Sequence, residues 1–164
     1  MKKIIAVFLV FLMAVSFAVA EEKTLPQPDD EGKTTYLGEV GWLFDEEGNF
    51  VKESLFDQAV LWIEEIPGVY DACIIVEKGK YYDRIMLAIV ASPTPSVAEA
   101  KEIADSAIRQ MGTLFGMTDE YEGPDAESFG TLYDDYPLLV SVFSKDGKQI
   151  CMGAISSHRA HITW

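Results

Sequence analysis

The stretch WIEEIPGVYDACIIVEKGKYYDRIMLAIVAS, residues 62–92, decides the fold predicted from this sequence. It starts in an apolar helical stripe, and Pro67-Gly68 then ends the helix and reverses the chain. Two apolar runs follow, at residues 69–78 and 84–91, and such a short connection predicts an antiparallel β-hairpin. Because burial accounts for nearly every position, we interpret the stretch as scaffold and expect partner recognition elsewhere.

A helix is predicted on each side of this hairpin. The first begins at Ser54, since Ser54-x-x-Asp57 resembles a capping box. The second follows Ser96, where Ser96-x-x-Glu99 is a capping box, and its long apolar stripe ends near Gly116. Each helix has one apolar face, so we expect both to pack on a sheet.

Three further strands complete the predicted order. Residues 34–44 form a first strand, and residues 136–144 and 148–156 form a final hairpin around Asp146-Gly147. The order β-α-β-β-α-β-β predicts an α+β fold, a two-layer sandwich in which an antiparallel sheet carries both helices on one face. Without its last strand, the order is ferredoxin-like.

The first twenty residues have the pattern of a signal peptide. A basic start, MKK, precedes an apolar run that ends in Ala18-Val19-Ala20, an A-x-A cleavage pattern. We therefore expect residues 1–20 to be removed, residues 21–33 to form a flexible leader, and residues 34–164 to form one domain. The predicted location is secreted or periplasmic. An uncleaved membrane anchor is the alternative, because the apolar run approaches spanning length.

The charge of the chain excludes some partners. Removal of residues 1–20 leaves 11 basic residues against 27 acidic ones, a formal charge of −16. Such a surface repels nucleic acid and, after signal cleavage, anionic membranes. It suits a soluble exported protein or one with a cationic partner.

The two cysteines are expected to be free thiols. Cys73 and Cys151 both lie in predicted strands, and neither belongs to a C-x-x-C motif. We expect their strands near opposite edges of the sheet. With neighbouring strands about 4.8 Å apart, the two sulfurs are then too distant for a bridge.

Residues 55–112 resemble a known helix-strand-strand-helix module. A helix ending in IPGV, the hairpin DACIIVEKGKYYDRIMLAIVAS and the helix AEAKEIADSAIRQM are similar to sporulation lipoproteins of the YhcN/YlaJ kind and to ring-building modules of secretion systems. This sequence lacks their lipidated cysteine and adds a C-terminal hairpin. The resemblance implies an assembly or envelope role and no catalytic residue.

Residues 117–135 form an acidic segment with interleaved aromatic residues. Carboxylates suit calcium, but the alternating D-x-D-x-D-G run of an EF-hand is missing. A solvated loop is the plain interpretation, and a surface for a cationic partner is the functional one. The predicted partner-binding residues are Asp119, Glu120, Tyr121, Glu122, Phe129 and Tyr133.

Two histidines near the C-terminus give a weaker metal candidate. His158 and His161 are three residues apart, a spacing that zinc can use. No other histidine exists, so aspartate, glutamate or cysteine would have to complete the site. The carboxylate candidates, for zinc or calcium, are Asp119, Glu122 and Asp125.

Catalytic and cofactor motifs are missing from the sequence: it contains no P-loop, no G-x-G-x-x-G, no H-E-x-x-H and no G-x-S-x-G. The predicted function is therefore a non-catalytic exported acidic domain that binds an envelope or extracellular macromolecule. The alternative is a small extracytoplasmic metal-binding protein or hydrolase that uses the two histidines and the acidic carboxylates.

Overall fold

The computed structural model describes residues 32–38, 52–80, 83–156 and 161–164. The predicted signal peptide, all of the leader but its last two residues, and His158 lie outside the described residues. The described strands are β1 (Lys33–Tyr36), β2 (Val69–Glu77), β3 (Arg84–Ala91), β4 (Leu138–Ser144) and β5 (Gln149–Ile155). The described helices are α1 (Lys52–Glu64), α2 (Val97–Phe115) and α3 (Leu132–Asp135). This order confirms the predicted α+β fold, with α3 as a short addition.

Some predicted boundaries were wrong. Lys33, predicted as the end of the leader, is the first residue of β1, which ends at Tyr36. The first helix already includes Lys52, so Ser54 lies within its first turn. The predicted capping contact of Asp57 involves the side chain of Ser54, which lies outside what the structure describes. Asp57 Oδ1 accepts hydrogen bonds from the backbone N–H groups of Leu37 at 3.2 Å and Gly38 at 3.0 Å. This carboxylate therefore ties the exit of β1 to α1.

The five strands form one sheet in the order β1-β2-β3-β4-β5. The prediction of a fully antiparallel sheet was wrong at one pair, since β3 and β4 run parallel, from Ile85 opposite Leu138 to Ala91 opposite Ser144. The reason is the long connection through α2, which returns the chain to the end of the sheet where β3 begins. The other three pairs are antiparallel.

The local signals at the start of α2 and at the Pro67-Gly68 turn are confirmed. Ser96 Oγ accepts from the Glu99 N–H at 3.3 Å, and the Glu99 carboxylate accepts from the Ser96 N–H at 2.7 Å. Gly68 has a φ of +91°, which a side chain would strain, and its carbonyl accepts from the Ser92 N–H at 2.9 Å. The turn after α1 and the turn before α2 are thus fixed to each other.

The main core lies between the two long helices and one face of the sheet, as predicted. Alternate strand residues such as Ile74, Ile85 and Val140 are fully buried there against Ile63 of α1 and Ile108 of α2. A smaller apolar cluster occupies the opposite face of the sheet and contains Cys73, Ala88, Val90 and Phe143, with Leu37 and Tyr70 packed against it. Of the helices in the described ranges, none is both long and apolar enough to cross a bilayer.

Candidate functional site

The crossover segment, residues 116–137, joins α2 to β4 at one end of the sheet. Apart from α3 it has no regular secondary structure, yet it is packed closely onto α2. A Cβ built on Gly112 would lie 2.4 Å from the carbonyl oxygen of Phe129, and one built on Gly116 would lie 2.5 Å from the Cα of Gly123. The backbone of the segment therefore approaches α2 at two positions where only glycine fits.

Gly116 ends α2 as predicted, but for a different reason. Its φ is −68°, in the right-handed helical region that any residue adopts. The usual explanation for glycine after a helix, a left-handed conformation, does not apply here. The close approach of Gly123 explains the residue instead.

Arg109 of α2 anchors the middle of the crossover segment. Its Nη1 donates to the backbone carbonyls of Asp125 at 2.7 Å and Ser128 at 3.3 Å. The guanidinium also lies 4.6 Å from the centre of the Phe129 ring, and its Nε donates to the Asp105 carboxylate at 3.0 Å. A single side chain thereby fixes two carbonyl groups and one aromatic ring of the segment.

Side-chain hydrogen bonds fix the rest of the segment. Asp125 Oδ1 accepts from the N–H groups of Glu127 and Ser128, both at 2.7 Å, which forms a tight Asx-type turn. Thr131 closes a larger loop, because its Oγ1 accepts from the Glu122 N–H at 2.8 Å and its own N–H donates to the Glu122 carbonyl at 3.1 Å. The segment is therefore an ordered loop with a defined surface.

The aromatic half of the predicted partner surface needs correction. Tyr121, Phe129 and Tyr133 are 8%, 6% and 2% exposed and belong to the main core. Tyr121 meets Phe115 edge to face at 6.0 Å between ring centres. The Tyr133 hydroxyl donates to the carbonyl of Ile108 at 2.7 Å, and burial raises the pKa of this phenol well above its ordinary value. These rings attach the segment to the core and are not available to a partner.

The carboxylates of the same segment face solvent. We call this set the acidic surface, and all of its members are exposed: Asp119, Glu120, Glu122, Asp125, Glu127, Asp134 and Asp135. Three of them, Asp119, Glu120 and Glu122, were predicted to bind a partner. The three aromatic rings predicted to bind a partner are therefore buried, and the carboxylates of the crossover segment are exposed.

The residues predicted to bind a metal do not form a metal site within the described part of the chain. The Asp125 carboxylate already accepts two backbone N–H groups, and the nearby carbonyls of Asp125 and Ser128 point at the Arg109 guanidinium. The Arg109 guanidinium therefore occupies the position from which a calcium ion would have to bind those two carbonyl oxygens. His161 is exposed beside β5, where the neighbouring Thr163 pairs with Ala154. Across the part of the chain that the structure describes, no three side chains of the metal-binding types converge.

Both cysteines are free thiols in the structure, which agrees with the prediction. Cys73 lies on the second face of the sheet and Cys151 in the main core, with β3 and β4 between their strands. Burial, and next the charge of Asp71, raises the pKa of the Cys73 thiol to about 12. Burial also raises the pKa of Cys151. Neither thiol has the character of a reactive nucleophile.

Fold and site together define an α+β domain that presents an ordered surface of carboxylates. No family model and no curated protein matches the sequence. A solved structure described as the crystal structure of sex pheromone staph-cAM373 precursor is similar to 83% of this chain, with 16% identity and a TM-score of 0.48. This chain spans 44% of that protein's length. The resemblance to YhcN/YlaJ-type modules stays a prediction.

Proposed function

We propose that this chain is an exported, non-catalytic domain that binds a cationic envelope or extracellular macromolecule through the acidic surface. The observation that carries the proposal is the construction of the crossover segment. Arg109, Thr131 and Tyr133 fix its backbone, its aromatic rings are buried, and its carboxylates are left in solvent. A long irregular segment in a compact domain is usually functional, and this one has its conformation set before any partner arrives.

Electrostatics supports a cationic partner. The whole chain has a formal charge of −14, so its field attracts cations over distances of about 8–10 Å at moderate salt. The exposed carboxylates of the acidic surface, carried on an ordered backbone, add a local contribution to that field. Such charge complementarity increases association rates and discriminates against anionic partners. The export part of the proposal is supported by the apolar run and A-x-A pattern of residues 1–20.

The experiment is zero-length carbodiimide cross-linking of the mature protein in the cell envelope from which it comes. The reagent joins a carboxylate to a lysine amine only when the two are in contact. We expect cross-linked peptides in which Glu120 or Glu122 is joined to lysines of one partner. Intact-mass measurement of the exported protein should find Glu21 at its start. Cross-links that map mainly to Glu64 and Glu65 at the end of α1, or a chain that keeps Met1, would contradict the proposal.

A further inference from the structure

A second candidate site lies at the other end of α2. We call it the proline groove, a cavity of about 470 Å³ between the turn after α1 and the first turns of α2. Its walls include Pro67, Pro93 and Pro95, and Ile66 and Ile103 contribute apolar surface. The volume falls within the range of roughly 300–1,000 Å³ that ligand sites occupy.

The walls of the proline groove are rigid. Three pyrrolidine rings fix the backbone φ angles around it. The hydrogen bond from the Ser92 N–H to the Gly68 carbonyl, at 2.9 Å, joins the two turns. A Cβ built on Gly68 would lie 3.4 Å from Cδ1 of Ile103, so this glycine brings the turn close to the helix. A ligand therefore meets a preformed surface.

The charged side chains that line the proline groove are acidic, and Thr94 and Ser106 add neutral hydroxyl groups. Glu99, Glu102 and Ser106 lie at helical spacing along the side of α2 that lines the groove. Glu99 gives one carboxylate oxygen to the Ser96 N–H at 2.7 Å, and Glu102 is exposed. Among the described residues that line the groove, none is basic. The combination of apolar walls and carboxylates is complementary to a ligand that carries both aliphatic groups and positive charge.

We infer that the proline groove binds an extended cationic peptide segment in which lysine or arginine alternates with an aliphatic side chain. In an extended peptide, alternate side chains point to opposite sides, so aliphatic groups contact Ile66 and Ile103 while cations reach Glu102. This site is distinct from the acidic surface, because the groove is lined by α2 only up to Ser106, whereas the crossover segment contacts α2 from Ile108 onward, and no residue belongs to both.

The test is an NMR titration of the full mature protein with acetylated, amidated Lys-Leu-Lys-Leu-Lys, and with Glu-Leu-Glu-Leu-Glu as the control peptide. We expect the cationic peptide to shift the amide signals of Gly68, Thr94 and Ile103, and the acidic peptide to leave them unchanged. Glu102→Lys should weaken binding at least tenfold. Glu122→Lys, an equal change of charge on the acidic surface, should weaken it less than threefold.

Two results would overturn the inference. One is a set of shifts confined to residues 119–135, which would place the peptide on the acidic surface and leave the proposed function intact. The other is an equal loss of affinity in both charge-reversed variants, which would mean generic attraction to an acidic protein. Both substitutions are at exposed side chains, and unchanged amide spectra of the free variants verify that each is folded.

Discussion

The guanidinium of Arg109 donates to the backbone carbonyl of Asp125 across 2.7 Å, which joins the middle of α2 to the crossover segment. We expect Arg109→Lys to weaken this link, because a single ammonium cannot replace two separate donor nitrogens, Nη1 for the two carbonyls and Nε for Asp105, on a planar group that lies over Phe129. The free energy of unfolding should fall by about 1–2 kcal/mol. Amide hydrogen exchange should accelerate at residues 125–130.

The matched control for this variant is Asp105→Asn. The ion pair between Asp105 and Arg109 is partly exposed, so its loss should cost less than about 0.5 kcal/mol. If both variants destabilise the protein equally, the ion pair, and not the contact with the crossover segment, accounts for the role of Arg109.

The close contact at Gly112 gives a second prediction. Alanine is the better helix former by about 1 kcal/mol, which alone would make Gly112→Ala stabilising. The added Cβ, however, would lie 2.4 Å from the Phe129 carbonyl oxygen, a backbone atom that can move only if the segment shifts. We expect a net loss of about 1–3 kcal/mol in urea unfolding. Gly123→Ala is the control, since nothing lies within 4 Å of its added Cβ. A neutral Gly112→Ala would mean that the segment packs less tightly than described.

The interpretation of residues 62–92 as scaffold predicts a large effect in β2. Ile74 has no exposed surface and lies in the main core. Ile74→Ala should cost about 2–5 kcal/mol in the free energy of unfolding. Met152→Ala, at a side chain that is 50% exposed, should change it by less than about 0.5 kcal/mol. Similar denaturant midpoints for the two variants would refute the description of the core.

Glu77 gives a prediction about pH. A hydrogen bond from Arg84, and the charges of Arg84 and Lys33, lower the pKa of this carboxyl below its ordinary value of 4.5. Between the two pKa values the unfolded chain binds more protons, so the stabilisation is present above about pH 4.5 and is lost as pH falls through the folded pKa. Glu77→Gln should therefore be less stable than the native chain at pH 7, by under about 1 kcal/mol for this partly exposed pair.

At pH 3 the difference in the free energy of unfolding between the native chain and Glu77→Gln should be smaller than at pH 7. Chemical denaturation of the native chain and of Glu77→Gln at both pH values measures it, with exposed Glu127→Gln as the control. A difference that stays constant or grows on acidification would be incompatible with the lowered pKa.

Local signals predicted local structure well. The Ser96–Glu99 capping box and the turn at Gly147, which has a φ of +85°, depend on residues a few positions apart, so the sequence contains all that they need. The parallel pairing of β3 with β4 depends on the path of the whole connection through α2. The sequence does contain an indication of parallel pairing, because a long connection that includes a helix is typical of a parallel crossover.

The candidate site was predicted only in part for a related reason. Exposed carboxylates are the default for an acidic segment, and that expectation held. An irregular backbone has no helical or strand period, so nothing in the spacing of Tyr121, Phe129 and Tyr133 shows that they point inward. The role of Arg109 was also missed, since its partners are backbone carbonyls about sixteen residues further along the chain.

The most direct test of the account is the affinity of the cross-linked partner for the triple variant Asp119→Asn, Glu120→Gln, Glu122→Gln, measured at two salt concentrations. The control variant makes the same charge change elsewhere, at Glu64, Glu65 and Asp83. We expect the first variant to keep its denaturant midpoint, to bind at least tenfold more weakly at low salt and to show a shallower salt dependence, and the control variant to bind like the native chain. Equal binding by both variants, or unfolding of the first, would contradict the account.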